Sequence, residues 1–173
     1  MDNYIDITKY YVGKKKTRGQ IIYKYYFISD DGKKYYVSKN KVILDPSIEE
    51  IRMAKWFSSL GDDVVYINPK VNYPPGISTS DYIYKDEKWD LKIVGVNATS
   101  TKRAVDNIVK TTKNQTNNII LDITKSKLDR ENIIEQVKTV FLTRGRQWIR
   151  QIVIVDDYKV LKAYKRCDEN IKK

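Results

Sequence analysis

Residues 118–123, Asn-Ile-Ile-Leu-Asp-Ile, are almost continuously apolar, and this constrains the fold more than any other stretch. A strand with one wet face alternates apolar and polar residues, so a short run without alternation reads as a strand buried on both faces. Helical patterns stand on either side of it. In 101–112, Ala104, Val105, Ile108 and Val109 share one face. Asp129 caps a second helix through Leu142, with Ile133, Ile134, Val137, Val140 and Phe141 turned inward. A basic turn, Arg144-Gly145-Arg146, leads to a strand pair, 149–155 and 159–164, around Asp156-Asp157.

Upstream, Asp45-Pro46-Ser47-Ile48-Glu49-Glu50 reads as a helix start, with Pro46 in the first turn and Ser47 and Glu50 forming a capping box. Ile51, Ala54, Phe57 and Ser58 trace its buried stripe, Trp56 and Leu60 lie alongside, and Gly61 ends it. Residues 64–67 form a short apolar strand. Residues 68–80, with Pro69, Pro74, Pro75 and Gly76, read as a loop. Before all of this, 1–45 is a β-rich entry segment, in which Asp30-Asp31-Gly32 turns 20–29 back onto 33–38. Lys14-Lys15-Lys16 beside Gly13 makes a basic loop. The tyrosines set among lysines in this segment suit either nucleic-acid stacking or packing at strand edges.

The chemistry concentrates in 80–92, which reads as two strands, 81–85 and 88–94, joined at Asp86-Glu87. Along the second strand Trp89, Leu91 and Ile93 face one way, and Asp90, Lys92 and Val94 the other. An acid and an amine two residues apart therefore point into the same space, and Asp81 at the start of the neighbouring strand brings a second carboxylate. Two carboxylates beside an ammonium group suit a divalent metal and an anionic, phosphate-like transition state. The same alternation also describes an ordinary solvated strand face, so the order of surrounding elements must decide.

Composition narrows the chemistry. The chain has no histidine, which excludes Ser-His-Asp triads, His-ligated zinc and His-based nuclease mechanisms. Cys167 is the only cysteine, so neither an intrachain disulfide nor a Cys-based zinc site is expected. Against 22 Asp+Glu stand 33 Lys+Arg, a formal charge of +11 that favours a polyanionic partner. Nucleic acid is expected before membrane, because no lipidation signal, basic amphipathic helix or spanning apolar run is visible. The N-terminus lacks a signal-peptide pattern, so the expected place of action is cytoplasmic, in the producing or a target cell.

Collected, the core runs helix, strand, strand, strand, helix, strand, an α/β (α+β, mixed-sheet) arrangement with a further helix and hairpin appended. This order resembles the PD-(D/E)XK nuclease superfamily, with Ser80-Asp81 where that superfamily has Pro-Asp and Asp90-Leu91-Lys92 as its acid-x-Lys. The missing proline is a departure. Within the superfamily, residues 50–122 resemble most the C-terminal tRNA-nuclease domains of contact-dependent growth inhibition (CdiA-type) toxins and related phage-encoded domains. The carriers are Glu50-Ile51-Arg52-Met53-Ala54, Ser80-Asp81-Tyr82, Trp89-Asp90-Leu91-Lys92, and Gln115 followed by Asn118-Ile119-Ile120-Leu121-Asp122.

The resemblance implies a metal-dependent endoribonuclease acting on tRNA, with Mg²⁺ as its cofactor and an acidic immunity protein as a further partner. By the same token Asp81 and Asp90 would be metal ligands, with the Leu91 carbonyl as a further one. Lys92 would orient or activate water and stabilise the transition state. Glu50 would complete the site from the first helix, although it fits the capping box equally. Gln115 would orient substrate or water, or else cap a helix. A DNA endonuclease of the same fold and a non-catalytic nucleic-acid-binding domain are the alternatives. Arg103, Lys110 and Lys113 on one helix, and Arg144, Arg146 and Arg150 near the last hairpin, are expected to hold the phosphate backbone. The expected organisation is an entry segment 1–45, a nuclease-like domain 46–166 and a polar tail 167–173.

Overall fold

The computed structural model describes residues 3–14, 17–39, 42–61, 63–71 and 75–167. Lys15 and Lys16 of the basic loop, Pro74, and the tail beyond Cys167 lie outside the described residues. In chain order the elements are β1 (Tyr4–Asp6), α1 (Thr8–Val12), β2 (Gln20–Tyr23), β3 (Tyr26–Ile28), β4 (Lys34–Tyr36) and β5 (Val42–Ile43). Next come α2 (Ile48–Ser59), β6 (Val64–Ile67), β7 (Lys70–Val71), β8 (Tyr82–Tyr84), β9 (Glu87–Ile93), α3 (Ala104–Val109) and β10 (Asn118–Asp122). The chain continues with α4 (Arg130–Leu142), β11 (Gln151–Asp156) and β12 (Lys159–Arg166). Helices and mixed sheets together give the α+β class expected, and α2, β6, β8, β9, α3, β10 follow the expected core order. The short β7 interrupts what reads in sequence as a loop.

The chain divides into two compact units, Lys14–Asp90 and Met1–Gly13 with Leu91–Lys173, and the boundary falls inside β9. The β-rich segment 1–45 is therefore shared: its first thirteen residues join one unit and the remainder the other.

In the Lys14–Asp90 unit, β2 runs parallel to β6, β6 antiparallel to β8, and β8 antiparallel to β9. Helix α2 starts where the sequence places it. The Ser47 hydroxyl accepts from the Glu50 N–H at 3.1 Å, and the Glu50 carboxylate accepts from the Ser47 N–H at 3.0 Å. Its buried face is Met53, Ala54, Trp56, Phe57 and Ser58, and the Phe57 ring lies 4.2 Å from that of Tyr84 and 5.1 Å from that of Trp89. The β8–β9 loop is Lys85-Asp86, one residue earlier than expected, because Glu87 already pairs with Tyr84. Both loop residues have positive φ, 49° and 61°, as a two-residue primed turn requires. The stretch 20–29 is not one strand. It divides into β2 and β3, and β3 pairs with β4 in a separate hairpin resting on Phe27, Tyr35 and Val42.

In the other unit β10 runs parallel to β11, with β12 antiparallel to β11 and β1 antiparallel to β12. Ile119, Ile120 and Leu121 of β10 are fully buried, as their unbroken apolar run requires. Asp129 caps α4, its carboxylate accepting from the Asn132 N–H at 3.0 Å. Helix α3 is shorter than expected: residues 101–103 form a turn, the N-cap residue Arg103 makes no side-chain cap, and 110–112 tighten into a 3-10 turn. The last turn is Asp157-Tyr158, with φ of 47° and 55°, rather than Asp156-Asp157. No helix among the described residues is long and apolar enough to cross a membrane.

Candidate active site

The β8–β9 register decides where the two aspartates go. Tyr82 pairs with Trp89, so one step further along Asp81 stands opposite Asp90. The pleat turns both away from the face that Tyr82 and Trp89 present to α2. Directly opposed residues bring their side chains within reach of each other. Here the link is explicit: the Asp81 N–H donates to Asp90 Oδ1 at 3.0 Å. Asp90 is 1% exposed, and Asp81 is half-buried. A carboxylate so deeply placed needs donors, and the backbone of the neighbouring aspartate supplies one.

Asp81 is itself held by a residue that sequence reading passed over. Asn68, buried at the end of β6, donates from Nδ2 to both the Ser80 carbonyl and the Ser80 hydroxyl at 3.1 Å. Its N–H donates to the Asp81 carbonyl at 2.9 Å, and the Ser80 hydroxyl donates to the Tyr82 carbonyl at 3.3 Å. Ser80 thus fixes the bend into β8 by hydrogen bonds. An asparagine directly after an apolar strand and before Pro69 was the available signal.

Lys92 lies two residues beyond Asp90 on β9, on the same face of the strand and half-buried. Glu50 is placed differently. Its carboxylate caps its own helix through the Ser47 N–H and pairs with Lys70 Nζ at 3.1 Å. The Tyr82 hydroxyl donates to the Glu50 carbonyl at 2.8 Å, which fixes the start of α2 on the Tyr82 and Trp89 face. Of the two roles open in sequence, Glu50 shows the capping one. Among the described residues no group of three or more acidic, histidine or cysteine side chains is arranged to hold a metal. The two aspartates do not need a third for magnesium, which is commonly held by one or two carboxylates, with water and substrate oxygens completing its shell. Their hard oxygen donors fit that ion.

Gln115 follows the 3-10 turn and closes it, its N–H donating to the Thr112 carbonyl at 2.9 Å. Among the basic residues, Arg103, Lys110, Lys113 and Arg144 are exposed. Arg146 is engaged within the chain. Its guanidinium is held bidentate by Asp106 of α3, Nε to Oδ1 at 2.7 Å and Nη2 to Oδ2 at 3.0 Å. That ion pair joins the 144–146 turn to α3, which Arg103 and Lys110 flank, so the two basic groups are neighbours. Arg150 is half-buried, and its N–H donates to the Asn117 carbonyl at 2.7 Å.

Residues 78–160, slightly under half of the chain, match the family described as contact-dependent growth inhibition CdiA C-terminal domain. Asp81, Asp90, Lys92 and Gln115 fall within the matched stretch, and Glu50 and Asn68 precede it. A solved structure, a CdiA-CT/CdiI toxin and immunity complex from Burkholderia pseudomallei, is similar at 17% identity and a TM-score of 0.48. That alignment covers 83% of this chain and 98% of the other. No curated protein matches the chain.

Proposed function

We propose that the chain is a toxin-type nuclease domain that cleaves RNA, tRNA foremost, with Mg²⁺ held by Asp81 and Asp90. The observation that carries this reading is the hydrogen bond from the Asp81 N–H to Asp90 Oδ1, with Lys92 on the same face of β9, inside the stretch that matches the CdiA C-terminal family. A bound divalent ion would supply Lewis-acid stabilisation of a phosphoryl oxygen and a lowered pKa for attacking water, together worth several kcal/mol. The chain's own residues do the rest. The Asp81 N–H fixes the Asp90 carboxylate, Asn68 and Ser80 fix the Asp81 backbone, and the Lys92 ammonium stabilises charge that develops on non-bridging oxygens. Arg103, Lys110, Lys113 and Arg144 are the cations available for phosphate contacts, which neutralise charge without reading sequence. A protein partner covering such a surface would be acidic, as an immunity protein for a basic nuclease should be.

Incubation of the purified protein with total tRNA and with plasmid, each with Mg²⁺ and with EDTA, tests this directly. Cleavage of tRNA that EDTA abolishes supports it. Cleavage of plasmid alone makes the substrate DNA, and cleavage of neither removes the nuclease reading.

A further inference from the structure

The β3–β4 hairpin stands outside everything above, yet its two faces differ sharply. Phe27 and Tyr35 turn inward onto Val42. The register pairs Tyr26 with Tyr36 and Ile28 with Lys34, so these four occupy the outer face. The Tyr26 and Tyr36 rings lie 6.2 Å apart, and Tyr25, 65% exposed, packs edge-on to Tyr26 at 5.1 Å. Lys34 Nζ lies 4.2 Å from the Tyr26 ring centre and 5.2 Å from that of Tyr36, and Lys24 Nζ lies 5.2 Å from that of Tyr26.

Among the described residues of the two strands no acid stands on this face, and the two at the tip are engaged elsewhere. Asp31 accepts from the Ser29 hydroxyl and the Lys33 N–H, and Asp30 pairs with Lys88 at 3.6 Å. Tyr25 is exposed and Tyr26 and Tyr36 are half-buried, and the three rings are grouped and interleaved with ammonium groups. Exposed cation–π contacts are weak, so the lysines yield to a ligand that offers both a π-face and a negative charge. Single-stranded nucleic acid offers both at every nucleotide.

We propose that the outer face of this hairpin binds single-stranded nucleic acid, with bases stacking on Tyr25, Tyr26 and Tyr36 and phosphates meeting Lys24 and Lys34. The inference does not depend on the aspartate site.

The test is anisotropy of the full chain in EDTA, where no cleavage enters the readout, with a short oligoadenylate, its DNA counterpart and an abasic strand of equal length as probes. The wild type should bind both base-bearing strands more tightly than the abasic one. The joint change Tyr26→Leu with Tyr36→Leu should weaken binding of the base-bearing strands about tenfold or more and leave the abasic strand unchanged. Tyr25→Leu, at the most exposed ring, should weaken base-bearing strands in the same selective way and guards against a folding defect in the pair. Lys24→Gln with Lys34→Gln should weaken all three probes and make the salt slope shallower by about 1.4 units, about 0.7 for each contact on a single strand. Equal affinity for base-bearing and abasic strands overturns the inference, as does unchanged oligonucleotide binding by both tyrosine variants. So does binding to phosphatidylglycerol vesicles with no oligonucleotide binding. A protein that cuts no tRNA but retains the base preference supports the hairpin surface and removes the nuclease reading alone.

Discussion

Replacing Asp90 separates its structural role from its chemical one. In Asp90→Ala the Asp81 N–H loses the carboxylate oxygen it meets at 3.0 Å, at a position only 1% exposed. A buried donor left without an acceptor costs about 1–3 kcal/mol. For a chain of this size each kcal/mol lowers Tm by roughly 2–4 °C, so the alanine variant should melt about 2–12 °C below wild type. Asp90→Asn keeps an oxygen for that N–H, so it should melt above the alanine variant. Both variants lose half of the carboxylate pair and should lose tRNA cleavage. Thermal melts and urea titrations beside the cleavage assay give the readout. Equal stability for the alanine and asparagine variants would show that the hydrogen bond contributes nothing. Wild-type cleavage by Asp90→Asn would show that the charge is not part of the chemistry.

Three further outcomes follow from the packing. Arg166, 2% exposed, donates to the carbonyls of Ile149 at 2.9 Å, Phe141 at 2.9 Å and Arg146 at 3.0 Å, so Arg166→Met should cost at least about 1–3 kcal/mol in urea unfolding, and Arg166→Lys should not restore a three-way fork. A Cβ at residue 19 would overlap the Ser58 backbone, so Gly19→Ala should destabilise by about 1–3 kcal/mol or more, and an unchanged urea midpoint would refute that close approach. Burial pushes the Asp63 carboxyl up, but the Tyr84 hydroxyl and the Lys85 ammonium outweigh it and hold the pKa below 3.8. A depressed folded pKa gives stability that is present above the unfolded value and lost as pH falls, so the wild type's advantage over Asp63→Asn should be constant above about pH 4 and shrink below it. Urea midpoints across that range check the sign.

What the sequence revealed and what it hid divide along local and non-local physics. The α2 cap was legible because Ser47 and Glu50 satisfy one another three residues apart. The β8–β9 hairpin was legible because the alternation around Trp89 and Asp90 is local too. The turn was misplaced by one residue because Lys85 carries no mark of the left-handed conformation it adopts. The break between β2 and β3 was hidden for a different reason. It depends on β2 finding a parallel partner in β6, more than forty residues away, which no local pattern encodes. The strand β1 was missed likewise, since Tyr4–Asp6 is apolar only in part and exists by pairing with β12.

The candidate site shows the same division at the level of single side chains. Residue type and spacing identified which groups have suitable chemistry, but only geometry shows which are already committed. Glu50 and Arg146 have the right charges for a metal and a phosphate. Lys70 and Asp106 engage them, and both partners are distant in sequence and carry no motif. Engagement does not make them idle. Asp106 holds the 144–146 turn against α3, while Arg166 holds the Arg146 carbonyl from the other side. Arg144 thereby stands on a turn fixed at two points, and if it meets phosphate as proposed it would give up less freedom than an arginine on a loose loop. Under the proposed phosphate role, the ion pair that engages Arg146 would therefore also favour its neighbour.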